Sequence, residues 1–152
     1  MNPSLILKIV AVIGARWGIG HVFAGAATVN VGHSGEISTA IGGIADAVSG
    51  EELDQSYPNA LAGILSQHGF NLLWFGLTTL IGSFWVWKQN WLAVGLTALV
   101  GGLADLGYFL FLDLGGYVNL IPGTIMTLIS GSALILSLIA YRKGGSKTPR
   151  PQ

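Results

Sequence analysis

Apolar residues run along this chain in four long stretches, roughly Leu5–Val29, Leu61–Trp87, Trp91–Leu112 and Val118–Tyr141. Each is about twenty residues or longer, enough as helix to cross about 30 Å of hydrocarbon. The pattern predicts an all-α integral membrane protein, a four-helix bundle of four spans. Between the first two spans, Ile37, Ile41, Ile44 and Val48 fall at i, i+4, i+7 and i+11. That is one apolar stripe of a helix, so a short amphipathic helix is expected in the first outer loop, lying on the interface. It would act as a lid over a pocket opening outward, or as a connector whose stripe packs on the bundle. Ser49-Gly50 and Tyr57-Pro58-Asn59 read as turns. Residues 1–143 then form the membrane domain, and 144–152 a basic, disordered cytoplasmic tail.

Composition strengthens this picture. The chain is 51% hydrophobic and 9% charged, whereas a soluble domain carries about 25% charged residues. A net charge of zero supplies no basic field for nucleic acid. The lack of cysteine excludes disulfides and thiolate metal sites. The 23 glycines sit mostly inside the spans, where small residues let helix backbones approach closely. Lys8 ahead of an apolar run, with Ala24-Gly25-Ala26 after it, has the outline of a cleavable signal. Arg16 interrupts its apolar core, so the segment reads as a retained first span. The glycine-rich run Gly14–Gly20 lies inside that span with no strand before it, which makes it a packing surface and not a nucleotide loop.

Charge orients the spans. The first connection carries Glu36, Asp46, Glu51, Glu52 and Asp54 without Lys or Arg, and the third holds Asp113. The second contains Lys88, and the C-terminal segment carries Arg142, Lys143, Lys147 and Arg150. Positive residues mark the cytoplasmic side, and Trp85, Trp87 and Trp91 around Lys88 fit an interfacial aromatic belt. A multi-pass protein of a cytoplasmic-type inner membrane is expected, with both termini cytoplasmic.

Each span is interrupted by polar residues: His21, then His68 with Asn71, then Asp105, then Thr124 with Thr127. A rise of about 1.5 Å per residue puts all of them roughly 8 to 14 Å below the outer surface, in one layer. They also fall on stripes of small and polar residues: Gly14, Gly18, His21 and Gly25; His68, Asn71, Thr78 and Gly82; Thr97, Gly101, Asp105 and Tyr108; Asn119, Gly123, Thr127 and Ser130. Four such faces turned inward make a polar pocket in the outer half of the bundle.

Ionisable residues in hydrocarbon are costly and are functional candidates. The leading reading is a pocket for a small apolar ligand or lipid. Asp105, His68 and His21 would carry proton transfer of an isomerase or cyclase type. Asn71, Trp74, Tyr108, Thr124 and Thr127 would line the site, with Phe75 as a further wall. Arg16, near mid-span, would snorkel to phosphates or bind an anionic group. This reading requires no cofactor. One alternative is haem b or iron held by His21, His68 and Asp105. Another is that these residues only fix helix packing through interhelical hydrogen bonds. The GxxxG-type surfaces also permit a homodimer.

Gly18-x-x-His21 followed by Ala24-Gly25, Trp74-x-Gly76 in the second span and Ser130-Gly131 in the fourth resemble small bacterial four-span membrane proteins of unassigned function. The resemblance implies a four-helix membrane fold and brings no activity. The long acidic first loop is an additional feature of this chain.

Overall fold

The computed structural model describes residues 2–144, so the basic tail expected after Gly144 lies outside the described residues. The fold is all-α. Helix α1 spans Pro3–Ser34, α2 Ile37–Ile44, α3 Gly50–Leu53, α4 Asn59–Trp87, α5 Trp91–Tyr108 and α6 Ile125–Gly144. Four helices are long and apolar enough to cross a membrane, the third continuing from α5 to Asp113. The protein is thus a multi-pass membrane bundle with a short helix, α2, in its first connection.

Local chemistry sets the helix ends. Asn2 caps α1 by accepting from the Ser4 amide at 3.0 Å, with Pro3 at the first helical position, where its missing N–H costs nothing. Gly35 closes α1 at φ +80°, a conformation that only glycine adopts freely. Asn90 caps α5 through the Ala93 amide at 3.0 Å. The fourth span begins later than the hydropathy suggests. Residues Leu120–Thr124 form a wide turn broken at Ile121 (φ −123°, ψ 124°), and regular helix starts only at Ile125. Ile121 precedes Pro122, and a residue before proline is driven to extended backbone.

The helices pack in the cyclic order α1, α4, α5, α6 and back to α1. The closest seam joins α1 to α4. Gly18 faces Gly76 and Gly25 faces Gly69, an interval of seven residues on each helix. A Cβ added to Gly18 would lie 2.7 Å from the Gly76 carbonyl oxygen, and one on Gly25 would lie 2.6 Å from that of Gly69. Such a seven-residue interval keeps one face turned to the partner along a left-handed crossing. The contact is backbone on backbone, which suits hydrocarbon, where apolar side chains gain little by leaving lipid.

Two small apolar clusters close the ends. At the basic end Ile6, Leu7, Val10, Val86, Val94 and Ala140 are buried together. Lys8 lies 5.4 Å over the Trp87 ring at this level. At the acidic end Ile37 and Ala40 of α2 bury against Leu65 of α4. The α2 stripe therefore packs on the bundle as a connector. Val48 falls beyond the end of α2 at Ile44.

The first connection then crosses to the third. Asp46 Oδ1 accepts from the Asn119 amide at 2.7 Å, and the Asn119 side chain donates to the Asp46 carbonyl at 2.8 Å. The Ala47 amide donates to the Tyr117 carbonyl at 3.0 Å. Removing the carboxylate by Asp46→Ala is expected to loosen this latch by about 0.5–1.5 kcal/mol, the usual net worth of a hydrogen bond. Hydrogen exchange should then speed up at Asn119 and Ala47 while α1 and α4 keep their protection. Unchanged exchange at Asn119 would show that the latch does not hold the loops together.

Candidate functional site

The buried centre of the bundle is built on Asp105, which is 5% exposed. It lies on α5, the helix diagonally across from α1, and α1 reaches it with two side chains one turn apart. The Trp17 indole N–H donates to Asp105 Oδ2 at 2.8 Å. His21 Nε2 lies 3.8 Å from Oδ1. The Trp17 and His21 rings stack with centroids 3.6 Å apart. An i, i+4 pair lies on one helix face, so both rings address the same carboxylate. Ser130 of α6 completes the surroundings of Asp105, and its hydroxyl donates to the Thr127 carbonyl at 3.0 Å.

The histidine tautomer follows from its partners. His21 Nδ1 sits 3.0 Å from the Trp17 carbonyl oxygen. A carbonyl only accepts, so Nδ1 carries hydrogen and Nε2 faces the carboxylate. A bare carboxylate in hydrocarbon is expensive. One further proton, on Nε2 or on Asp105, makes the pair neutral overall. The centre is therefore a buried carboxylate–imidazole pair that one proton would neutralise.

The other polar residues of the spans do not join this centre in one layer. Thr124 and Thr127 donate to the two oxygens of Asp113, at 2.5 and 2.9 Å. Asp113 is eight residues beyond Asp105, about 12 Å further along the helix axis. Tyr108 stands among Asp46, Asp105 and Asp113, with its hydroxyl against the Gly123 backbone. Asn71 accepts from the Trp74 indole at 3.2 Å, and Trp74 is 41% exposed on the outer surface of the bundle. His68 is half-buried. With Gly69 facing Gly25, His68 is level with Ala26, about 7 Å along the axis from His21. The expected single layer is thus corrected to a file. It runs from Asp46 and Asn119 at the acidic end, through Asp113, Thr127 and Ser130, to Asp105 at the level of Trp17. The glycine seam sets the level of His68 against His21, and the side-chain contacts of Asp105 and Asp113 set those of α5 and α6.

Two spaces adjoin the centre, and Trp17 lines both. A partly open cleft with about 40 Å³ of space for water lies on its basic side, where Gly14, Thr79, Ser83, Thr97, Ser130 and Ser137 stand among apolar neighbours. A lateral groove of about 380 Å³ opens between α1 and α6, lined by Ile13, Arg16, Trp17, Met126, Ile129 and Ser132. Arg16 is exposed there, near the middle of the 32-residue α1. No carboxylate pairs with it among the described residues, where His21–Asp105 is the only ion pair.

Among the described residues no three His, Asp or Glu side chains converge on one point. His21 Nδ1 is engaged by the Trp17 carbonyl, and Nε2 faces Asp105 at 3.8 Å.

Hydropathy marks neither Trp17, which counts as apolar, nor Asp113, which falls between two apolar stretches. A signal for Trp17 was present, because an indole N–H inside a span needs an acceptor and Asp105 is the only span carboxylate near that depth. No family model, curated protein or solved structure matches the chain. The resemblance to small four-span bacterial proteins rests on the quoted residues alone.

Proposed function

We propose that this protein sits in a cytoplasmic-type membrane, with both termini on the cytoplasmic side, and binds a small amphiphile taken from the bilayer. Charge segregation supports the orientation. All seven acidic residues lie between Glu36 and Asp113, towards one end. Lys8, Lys88, Arg142 and Lys143 gather at the other, the side that faces the cytoplasm by the positive-inside rule. The ligand has an apolar chain and an anionic head. The chain lies in the α1–α6 groove against Ile13, Met126 and Ile129, and the head meets Arg16 beside Ser132.

The observation that carries this reading is the position of Trp17. It is among the residues lining the groove, and its indole N–H holds Asp105. A head group pressing on Trp17 would bear directly on the acid–base pair. Proton transfer to or from the ligand, of the isomerase or cyclase kind, would use Asp105 with His21 as relay.

A brominated fatty acid tests this in detergent or nanodiscs, because bromine quenches indole fluorescence on contact. Exposed Trp74, Trp85 and Trp87 give a background that rises linearly with ligand; a saturable component above it is expected, and Trp17→Phe should remove that component. Arg16→Gln should weaken binding about tenfold or more, as expected for a lost charged hydrogen bond. A brominated phosphatidic acid distinguishes a phosphate head from a carboxylate. Quenching that is only linear in ligand, or unchanged by Arg16→Gln, would sink the reading.

A second reading is favoured by one contact. The Trp17–Asp105 bond joins α1 to α5, which otherwise meet little across the bundle. In that case the pair is interhelical glue, and Asp105 variants lose stability rather than ligand.

A further inference from the structure

The cavity in the cleft beside Trp17 has an unusual lining for a membrane bundle. Hydroxyl side chains in hydrocarbon normally satisfy themselves on the preceding helical turn. Ser83 donates to the Thr79 carbonyl at 2.7 Å, Thr97 to that of Ala93 at 2.7 Å and Ser137 to that of Ala133 at 2.8 Å. Thr79 does not. It is 4% exposed, and its Oγ1 is the one buried side-chain polar atom without a partner among the described residues. An unmade hydrogen bond of this kind costs about 1–3 kcal/mol. Thr79 lines the cavity, together with Ser83, Thr97, Ser130 and Ser137, and a hydroxyl that donates still keeps lone pairs to accept. A water needs about 10–15 Å³ by this measure and two to four polar partners. The cavity, at about 40 Å³, has room for two or three.

We propose that this cavity holds water which extends the Asp105–His21 pair towards the basic side, so that the bundle carries a proton path open to the acidic end and sealed at the basic end. From the acidic end the path runs from Asp113 to the Thr127 hydroxyl and, because Ser130 donates to the Thr127 carbonyl and not to its hydroxyl, through water from there to Ser130 and Asp105. Tyr108 and Asp46 flank its mouth, and His68 stands on the α4 side. The seal is the apolar cluster of Ile6, Leu7, Val10, Val86 and Val94, two of whose members, Val10 and Val86, also line the cavity. Val86 is 1% exposed. Each transfer makes one O–H or N–H bond as another breaks, so no oxidant or reductant is required. The inference is independent of any occupant of the groove.

Two measurements decide it. In wild-type protein, water-edited solid-state NMR should show rapid transfer from water to Thr79 and Ser83 and none to Ile6 or Leu7, which belong to the seal and do not line the cavity. Absence of transfer to Thr79 means a dry cavity and overturns the proposal. In proteoliposomes with an internal pH dye and an imposed potential, wild-type protein should pass no more protons than empty vesicles. Val86→Ser, which puts a hydroxyl into the seal, should open a proton leak. Adding Asp105→Asn or the near-isosteric Thr79→Val should abolish that leak. A Val86→Ser leak that persists with Asp105→Asn, or a monodisperse Val86→Ser protein that does not leak, would overturn the path.

Discussion

Gly25→Leu is expected to disrupt the bundle more than any other single substitution considered. Its Cβ would lie 2.6 Å from both the Gly69 carbonyl oxygen and the Leu73 amide nitrogen. Neither is the end of a flexible side chain, so relief requires α1 and α4 to move apart. Overpacking of a tight interface costs about 1–3 kcal/mol when side chains can yield, and more when they cannot. The α1–α4 seam is also the most extensive helix contact in the molecule, so there is little other packing to absorb the shift. Heating detergent-purified protein and measuring the monodisperse fraction should give a transition well below that of the wild type. Gly63→Leu is the control. Nothing lies within 4 Å of a Cβ there, and leucine is the better helix former by nearly 1 kcal/mol. Equal transitions for Gly25→Leu and wild type would mean that the seam is looser than described.

The second large effect is expected at Asp105, where two substitutions separate chemistry from packing. Asp105→Ala leaves the Trp17 indole N–H and His21 Nε2 without a buried partner. Each such loss costs about 1–3 kcal/mol, so a clear loss of thermal stability is expected. Asp105→Asn keeps an oxygen to accept from Trp17 and nearly the same volume, but it cannot take up or release the proton shared with His21. It should fold with nearly wild-type stability and lose any proton-dependent activity. If Asn and Ala destabilise the protein alike, the charge itself holds α1 to α5, and the packing role of the pair is the dominant one. If Asn is stable and ligand quenching at Trp17 persists, binding does not depend on the proton and resides in the groove alone.

The contrast between these two sites shows what kind of information lay in the chain. Four spans, their approximate ends and the amphipathic α2 follow from hydropathy and periodicity, because hydrocarbon forces every backbone polar group into helical hydrogen bonds. Charge separation between the ends is equally plain, since all acidic residues fall between Glu36 and Asp113. That His21 and Asp105 are exceptional could be read from their placement in apolar runs. Their partners could not. Trp17 counted as one more apolar residue until the fold brought its N–H to Asp105. Asp113 read as loop until the late start of α6 placed Thr124 and Thr127 against it. The late start follows from one extended residue before Pro122, a local term that hydropathy averages away.

Depth was the quantity least available from sequence. Residue counting from hydropathy edges put His21, His68, Asp105 and Thr124 at one level, because each edge is uncertain by several residues and each residue is worth about 1.5 Å. Composition and pattern alone determined what could lie in a membrane and which end is acidic. Only the tertiary structure decided which polar groups meet, because the packing of four helices sets their relative registers: it brings Trp17 and His21 of α1 to Asp105 of α5, and Thr124 and Thr127 to Asp113. Register then sets which side chains share a level, and at hydrogen-bond range a shift of one residue is enough to make a partnership or to break it.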